Sequence, residues 1–313
     1  MTESAMDAEV FGAPAWVWAQ LCAAVFAIST AGVAFQQLTN IPPLLLASWR
    51  MQATALLLAV GAVREWRVAS DDLRARWFKT WPRLGFSGAC LGAHFGAWVA
   101  GLQTTTLARS LLLVCTTPLF IAFGALALCL PTSTGELAGA ALGFVGVAMV
   151  ASDQHDGERE RATWQGDTLS LGAAFYIVGY MLVGADVRRW MPLCMYAGPV
   201  TAVAAVCTGL VSYLTEETEH AGGIVGWAFG GVALNFFVTM YLAVVPGLGH
   251  TGYNAVLKHI SPLVVSTSLT MEPFLGSALG YAVGLADAPG WRTGLGGVVI
   301  VAAVITVIVS SKR

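Results

Sequence analysis

Long apolar runs without a charged residue are the feature that most restricts what this chain can fold into. No Asp, Glu, Lys or Arg lies between Val10 and Trp49, or between Ala221 and Leu257. A helix needs about 20 mostly apolar residues to cross the hydrocarbon core of a bilayer. Of the 313 residues, 57% are hydrophobic and 11% are charged, whereas soluble domains are about 25% charged. The sequence therefore predicts an all-α polytopic membrane protein and excludes a soluble enzyme, a nucleic-acid-binding protein and a disordered chain.

The apolar runs predict ten transmembrane helices. They are placed at about 15–37, 43–63, 84–103, 108–129, 134–152, 167–185, 191–213, 233–257, 261–285 and 290–310. The charged segment 64–83 is predicted to be a loop, and the glycine-rich segment 221–232 to lie at the membrane surface. Basic residues are concentrated on the side that would hold both termini. Because such residues are enriched in cytoplasmic loops, we expect both termini in the cytoplasm, most simply at the cell (plasma or inner) membrane.

An internal repeat organises these helices. Advancing the numbering by 155 residues places Pro118 on Pro273, and the same shift places Gly135 on Gly290. Each copy then holds five helices, an odd number, so the second copy enters the membrane in the opposite sense. Inverted repeats of this kind recur in secondary transporters, where the substrate site lies between the halves near the bilayer midplane. A channel or a structural scaffold can also be built in this way.

The predicted organisation follows from this shift. Residues 1–152 form a first five-helix repeat, and residues 167–313 form a second, inverted five-helix repeat. Residues 153–166 form an acidic linker between them. With both termini in the cytoplasm, this linker is predicted to lie outside it.

Several segments of the chain resemble the EamA-type branch of the drug/metabolite transporter superfamily. In the first half these are His94–Leu102 and Thr104–Pro118, and in the second half Gly249–Lys258 and Glu272-Pro273. The resemblance implies ten helices in an inverted five-plus-five arrangement. It also implies a cavity lined mainly by the third, fourth, eighth and ninth helices, and transport of small organic metabolites, often amino acids moved outward.

Four ionisable residues lie inside predicted helices, namely Arg50, His94, His250 and Glu272. A charged side chain at a helix centre costs about 2.5–3.5 kcal/mol on insertion scales, so each such residue needs a partner or water. For Arg50 three interpretations remain open. The guanidinium pairs with a carboxylate or carbonyl groups, contacts the carboxylate of a substrate, or extends to the outer membrane face.

Two helix faces combine a histidine with aromatic or amide side chains. His94 and Trp98 are four residues apart and share a face, and His250 shares a face with Tyr253 and Asn254. We expect these five residues to line a polar, aromatic-walled cavity that hydrogen-bonds one solute. The alternative is that the imidazoles only make hydrogen bonds between buried helices.

Glu272 precedes Pro273 near the middle of the ninth predicted helix, and Pro118 occupies the repeat-related position in the fourth. Proline removes a backbone hydrogen bond, which is tolerated where polar neighbours or water satisfy the freed carbonyl. We expect a kinked helix pair that acts as a gate or substrate wall, with Glu272 facing the substrate. The alternative is a packing kink whose glutamate stays protonated or pairs with Arg50.

The function predicted from these features is that of a secondary transporter, exporter or facilitator, which moves small organic metabolites by alternating access. Cationic and anionic side chains together suit a zwitterion, so amino acids are the favoured substrates. Organic anions or nucleotide-linked metabolites are the alternative within this class, and a non-transporting membrane scaffold is the alternative outside it. No catalytic, metal or cofactor motif is present in the sequence. The expected partners are a small-molecule substrate and the lipid bilayer, with no nucleic acid, and a homodimer is left open.

Overall fold

The structure, a computed structural model, describes residues 9–153, 163–284 and 288–311, and is almost entirely helical. The helices are α1 (Ala15–Ser29), α2 (Ala31–Phe35), α3 (Pro43–Val68), α4 (Asp71–Thr104), α5 (Leu107–Val114), α6 (Thr117–Ala127), α7 (Thr134–Ala151), α8 (Trp164–Val187), α9 (Leu193–Thr215), α10 (Gly226–Phe229), α11 (Ala233–Val256), α12 (Pro262–Leu269), α13 (Glu272–Ala282) and α14 (Trp291–Ser310). Single 3₁₀ turns lie at Gln36–Leu38 and Glu219–Ala221. Two short strands, β1 (Glu9–Val10) and β2 (Ala13–Pro14), pair antiparallel before α1.

Eight helical segments of the described chain are long and apolar enough to cross a membrane. The chain is therefore an integral, multi-pass, all-α membrane protein. The eight segments include α1 together with α2, and α5 together with α6. The two other long helical stretches, α4 and the α12–α13 pair, are more polar because they carry His94 and Glu272. The predicted count of ten requires that both of these stretches also span the membrane.

The prediction of a loop over residues 64–83 was wrong. α3 continues to Val68 and α4 begins at Asp71, so only two residues separate the helices. The Ser70 side chain accepts a hydrogen bond from the Leu73 amide at 3.2 Å and caps α4. Charged side chains do not prevent helix formation where they face water, so both helices extend beyond the apolar run.

Two further boundaries were predicted with different success. The segment 221–232 forms no spanning helix, as expected, and instead packs short helix α10 against α3. The buried Trp227 donates from its indole N–H to the side-chain Oε1 of Gln52 at 3.0 Å. The second half begins earlier than predicted, because Thr163 caps α8 from Trp164 onward. Residues 154–162 of the predicted linker lie outside the described residues.

Glycines allow close contact between α7 and α14. A Cβ atom added at Gly296 would lie 2.6 Å from the Gly146 carbonyl oxygen. At Gly146 an added Cβ would likewise lie 2.9 Å from the Gly296 carbonyl oxygen. Small residues at such positions let helix backbones approach in membranes. The glycines of this contact are therefore packing positions.

Gly296→Ala is expected to destabilise the protein by about 1–3 kcal/mol, because the added methyl group forces α7 and α14 apart. Gly294→Ala is the matched control on the same helix, since a Cβ added there meets no atom within 4 Å. That control should be neutral or stabilising by about 0.5–1 kcal/mol. Thermal unfolding of both variants in one detergent checks the expectation. Equal melting temperatures for the two variants would contradict this packing.

Candidate functional site

Three helical segments of the bundle are interrupted. α1 gives way to α2 at Thr30, α5 to α6 at residues 115–116, and α12 to α13 at residues 270–271. Pro118 and Pro273 each lie in the first turn of the helix that follows a break. Neither proline has an N–H to continue the preceding helix, which accounts for two of the three breaks.

The three breaks border one cavity of about 50 Å³. Its lining residues from the first half of the chain are Ile28, Ala31, His94, Phe95, Trp98, Val114, Cys115 and Thr117. Those from the second half are Ile177, Met181, His250, Tyr253, Ser266, Leu269 and Glu272. The cavity thus lies between the two halves. It has room for one or two water molecules and is smaller than the roughly 300–1,000 Å³ of typical small-molecule sites, so a substrate requires an opening of the bundle.

His94 reaches this cavity from α4 and is fixed by the opposite half. Its Nδ1 lies 2.9 Å from the Ala173 carbonyl oxygen on α8. Because a carbonyl only accepts hydrogen bonds, Nδ1 carries the proton and Nε2 is the acceptor of the neutral ring. The ring is parallel to Trp98 within 9°, with the centroids 6.5 Å apart. The imidazole therefore has one defined orientation.

His250 reaches the same cavity from α11. Its Nδ1 lies 3.1 Å from the Tyr253 hydroxyl. The Phe95 ring stands between the two histidines, with its centroid 4.8 Å from that of His94 and 5.0 Å from that of His250. The histidines of the two halves thus meet across a single aromatic ring, and both line the cavity.

Asn254 lies outside the cavity lining, in contrast to its neighbour Tyr253. Its side-chain amide donates to the Tyr180 hydroxyl and to the His250 carbonyl oxygen, the latter at 3.0 Å. Residue 254 is rotated by about 100° from residue 253 on a helix, which turns its side chain toward α8. Asn254 therefore supports the cavity wall in this conformation and does not line the cavity as we expected, whereas its contact with a substrate stays a prediction.

Glu272 is the first residue of α13 and lines the cavity. The side chain is buried, and no lysine or arginine of the described chain lies within ion-pair distance of it. The pairing with Arg50 that the sequence left open is therefore absent in this conformation. A helix N-terminus favours negative charge, so the start of α13 can hold a carboxylate that faces the cavity.

Arg50 lies behind the cavity wall on α3. It is fully buried, which excludes extension to the membrane face. Its three guanidinium nitrogens have no hydrogen-bond partner among the described residues. The guanidinium carbon instead lies 4.0 Å from the centroid of Phe95. Neither pairing nor extension to the membrane face is observed for Arg50 among the described residues, and its contact with a substrate carboxylate stays a prediction.

Sequence reasoning missed two residues of this region. Phe95 follows His94 directly and was overlooked because only the ionisable neighbour was considered in the sequence. Its spacing of three residues from Trp98 nevertheless places it on the same helix face as Trp98. Tyr180 is buried on α8 beside Met181, and its ring centroid lies 6.2 Å from that of Tyr253. Ile177 and Met181 are four residues apart and both line the cavity. This spacing could have indicated that the adjacent Tyr180 lies on the inner side of α8.

Comparisons with known proteins agree with this architecture. A solved crystal structure matches 95% of this chain and 99% of its own length, with a TM-score of 0.73 and 18% sequence identity. At that identity the likeness shows the fold alone. No curated protein matches the chain.

The fold and the cavity define a multi-pass membrane protein with a candidate site between its halves. Residues 15–152 match the model of the EamA-like transporter family, which is part of the drug/metabolite transporter superfamily. The family consists of transporters and not of enzymes. This match agrees with the resemblance found in the sequence and indicates a membrane transporter of the drug/metabolite type.

Proposed function

We propose that this protein is a secondary transporter that carries amino acids across the cell membrane by alternating access. The observation that carries the proposal is the convergence of three broken helices on one cavity lined from both halves of the chain. Discontinuous helices at the interface of two repeats form the substrate and ion sites of many secondary transporters. Rocking of one half against the other would expose the cavity to each side in turn.

Helix boundaries support an inverted repeat of five helices. α5 begins at Leu107 and α12 at Pro262, which are 155 residues apart. α6 begins at Thr117 and α13 at Glu272, again 155 residues apart. The two broken helices are thus equivalent in position as well as in sequence. We infer that both halves cross the membrane five times.

Helix packing has the same symmetry. The repeat-related pairs α3–α9 and α7–α14 pack directly against each other. The pairs α1–α11 and α4–α8 are exchanged by the same relation, and both are in extensive contact. A two-fold axis in the membrane plane accounts for all four contacts, and supports ten spans with both termini on the same side of the membrane.

Charge favours a zwitterionic substrate. Glu272 offers a carboxylate at the cavity for an ammonium group, and Arg50 is an unpaired cation one ring away. Aromatic side chains of Trp98, Phe95 and Tyr253 suit an apolar or aromatic remainder. Arg50 taken alone favours the alternative of organic anions, for which the carboxylate of Glu272 would be unfavourable.

Competition in reconstituted vesicles tests the substrate class. Purified protein in liposomes should take up radiolabelled L-phenylalanine, and unlabelled apolar or aromatic amino acids should compete. Benzoate and a nucleoside monophosphate serve as the organic-anion arm. Uptake of these anions without uptake of any amino acid would contradict the proposal. An absence of flux for every solute would favour a scaffold.

The proposed topology predicts opposite exposure of two segments. Single cysteines placed within 64–83 and within 153–166 of a cysteine-free variant should react with a membrane-impermeant maleimide from opposite sides of sealed vesicles. The basic segment 64–83 should be accessible from the cytoplasmic side, because basic residues are retained there. Reaction of both segments from one side would exclude the inverted arrangement of five plus five helices.

A further inference from the structure

Arg50 is the least satisfied polar group in the described chain. Its Nε and both terminal nitrogens are buried and make no hydrogen bond to a described residue. A buried charge without a partner is strongly unfavourable. Glu272 acts on Arg50 electrostatically but does not form an ion pair with it. In this conformation the guanidinium therefore lacks the acceptor that its burial demands.

Aromatic rings take the place of that acceptor. The guanidinium carbon lies 4.0 Å from the Phe95 centroid and 5.8 Å from the Phe35 centroid. A cation–π contact compensates for only part of the hydration that burial removes. Phe95 also lines the cavity. One phenyl ring thus separates the cavity from an unpaired positive charge.

A second unsatisfied donor borders the same ring. The indole N–H of Trp98 is buried without an acceptor among the described residues. The Trp98 ring contacts both Phe35 and Phe95, at centroid distances of 5.5 and 6.2 Å. The surroundings of Phe95 therefore combine one positive charge with several unused N–H groups. Such a set of donors fits a carboxylate, which is planar and accepts hydrogen bonds on both oxygens.

We propose that Phe95 is a movable cover over an anion site, and that the substrate carboxylate displaces its ring to pair with Arg50 and the Trp98 N–H. This inference rests on the proposed amino-acid transport, and it names Arg50 as the group that selects for the carboxylate. With the carboxylate at Arg50, Glu272 is left for the ammonium group. The small cavity then describes the covered state, and displacement of Phe95 enlarges it on the side of Arg50.

Thermal stabilisation of the purified protein tests this site, because a ligand that binds the folded state raises its melting temperature. Four probes are compared: L-phenylalanine, phenethylamine without the carboxylate, benzoate without the ammonium group, and sodium chloride. In the unaltered protein L-phenylalanine should bind about 10- to 100-fold more tightly than phenethylamine, as expected for one charged contact at a desolvated site. Arg50→Gln should remove that difference and abolish the response to benzoate. This variant should fold, since it removes a charge that has no partner.

Phe95→Leu tests the cover separately. Removal of the ring should strengthen binding of benzoate and L-phenylalanine. Phe86→Leu alters an exposed ring on the same helix, outside the cavity lining, and should leave both unchanged. Weaker benzoate binding in Phe95→Leu would overturn the role of Phe95. An unchanged preference for L-phenylalanine over phenethylamine in Arg50→Gln would overturn that of Arg50.

The benzoate arm separates this inference from the proposed function. A response to benzoate that requires Arg50 supports the anion site even if vesicles exchange no amino acid. Equal stabilisation by chloride, with no greater effect of L-phenylalanine, would assign the site to an inorganic anion and overturn its role in substrate selection.

Discussion

Glu272→Gln should abolish amino-acid exchange in reconstituted vesicles, or at least remove its dependence on pH, while the protein still inserts and folds. The glutamine keeps the shape of the side chain and part of its hydrogen bonding but lacks the negative charge. Loss of one partner from a desolvated charge pair weakens binding by about 2–5 kcal/mol. Because Glu272 lines the cavity without a basic partner in the described chain, its charge is available to a substrate ammonium group or to a proton.

The measurement is the initial rate of exchange across a series of pH values, with protein amount and melting temperature determined in parallel. Glu217→Gln is the matched control, since this glutamate is exposed in the segment that follows α9. It should leave rate and pH profile unchanged. If Glu272→Gln transports normally with an unaltered pH profile, Glu272 merely supports the break at Pro273. The histidine pair would then be the better assignment.

Trp98→Ala should weaken substrate binding by about 1–3 kcal/mol, the effect of removing a buried aromatic contact at a binding site. Trp98 is buried and packs edge-to-face on Phe35, with the ring centroids 5.5 Å apart. Its indole also forms part of the cavity lining. Competition by unlabelled L-phenylalanine measures the loss as a raised half-inhibitory concentration.

Trp81→Ala is the control on the same helix, since Trp81 is exposed and far from the cavity lining. It removes an equal volume and should leave the half-inhibitory concentration unchanged. If both alanine variants behave alike, Trp98 contributes to stability and not to substrate recognition. In that case Trp98→Phe should bind substrate as tightly as the unaltered protein does.

Most of the helices could be predicted from apolar runs, because crossing a bilayer requires a run of fixed minimum length. The prediction failed where helices leave the apolar layer. Residues 64–83 were assigned to a loop because of their charge, yet charge bears on membrane insertion and not on helix formation in water. The start of α8 at Trp164 was also missed because it lies outside the apolar run. The Thr163 cap, and not hydropathy, determines where this helix begins.

Within the site, residue types could be predicted more easily than orientations. An ionisable residue in an apolar helix is detectable by its rarity, and His94, His250 and Glu272 all line the cavity. Which side of a helix faces the cavity depends on packing between distant segments. Tyr253 and Asn254 are adjacent in sequence but face different neighbours. The position of Phe95 between the cavity and Arg50 depends on the packing of α3 against α4, which the sequence does not reveal.

Counterflow in proteoliposomes tests the central claim, that a solute bound between the two halves is carried across the membrane. Vesicles loaded with unlabelled L-phenylalanine and diluted into labelled L-phenylalanine should accumulate label transiently above equilibrium. This happens because the carrier brings label in but mostly binds the more abundant unlabelled solute when its site faces the inside. Alternating access predicts this overshoot, and predicts its loss in Glu272→Gln. Equilibration without overshoot, at a rate independent of the internal amino acid, would contradict a carrier and indicate a channel.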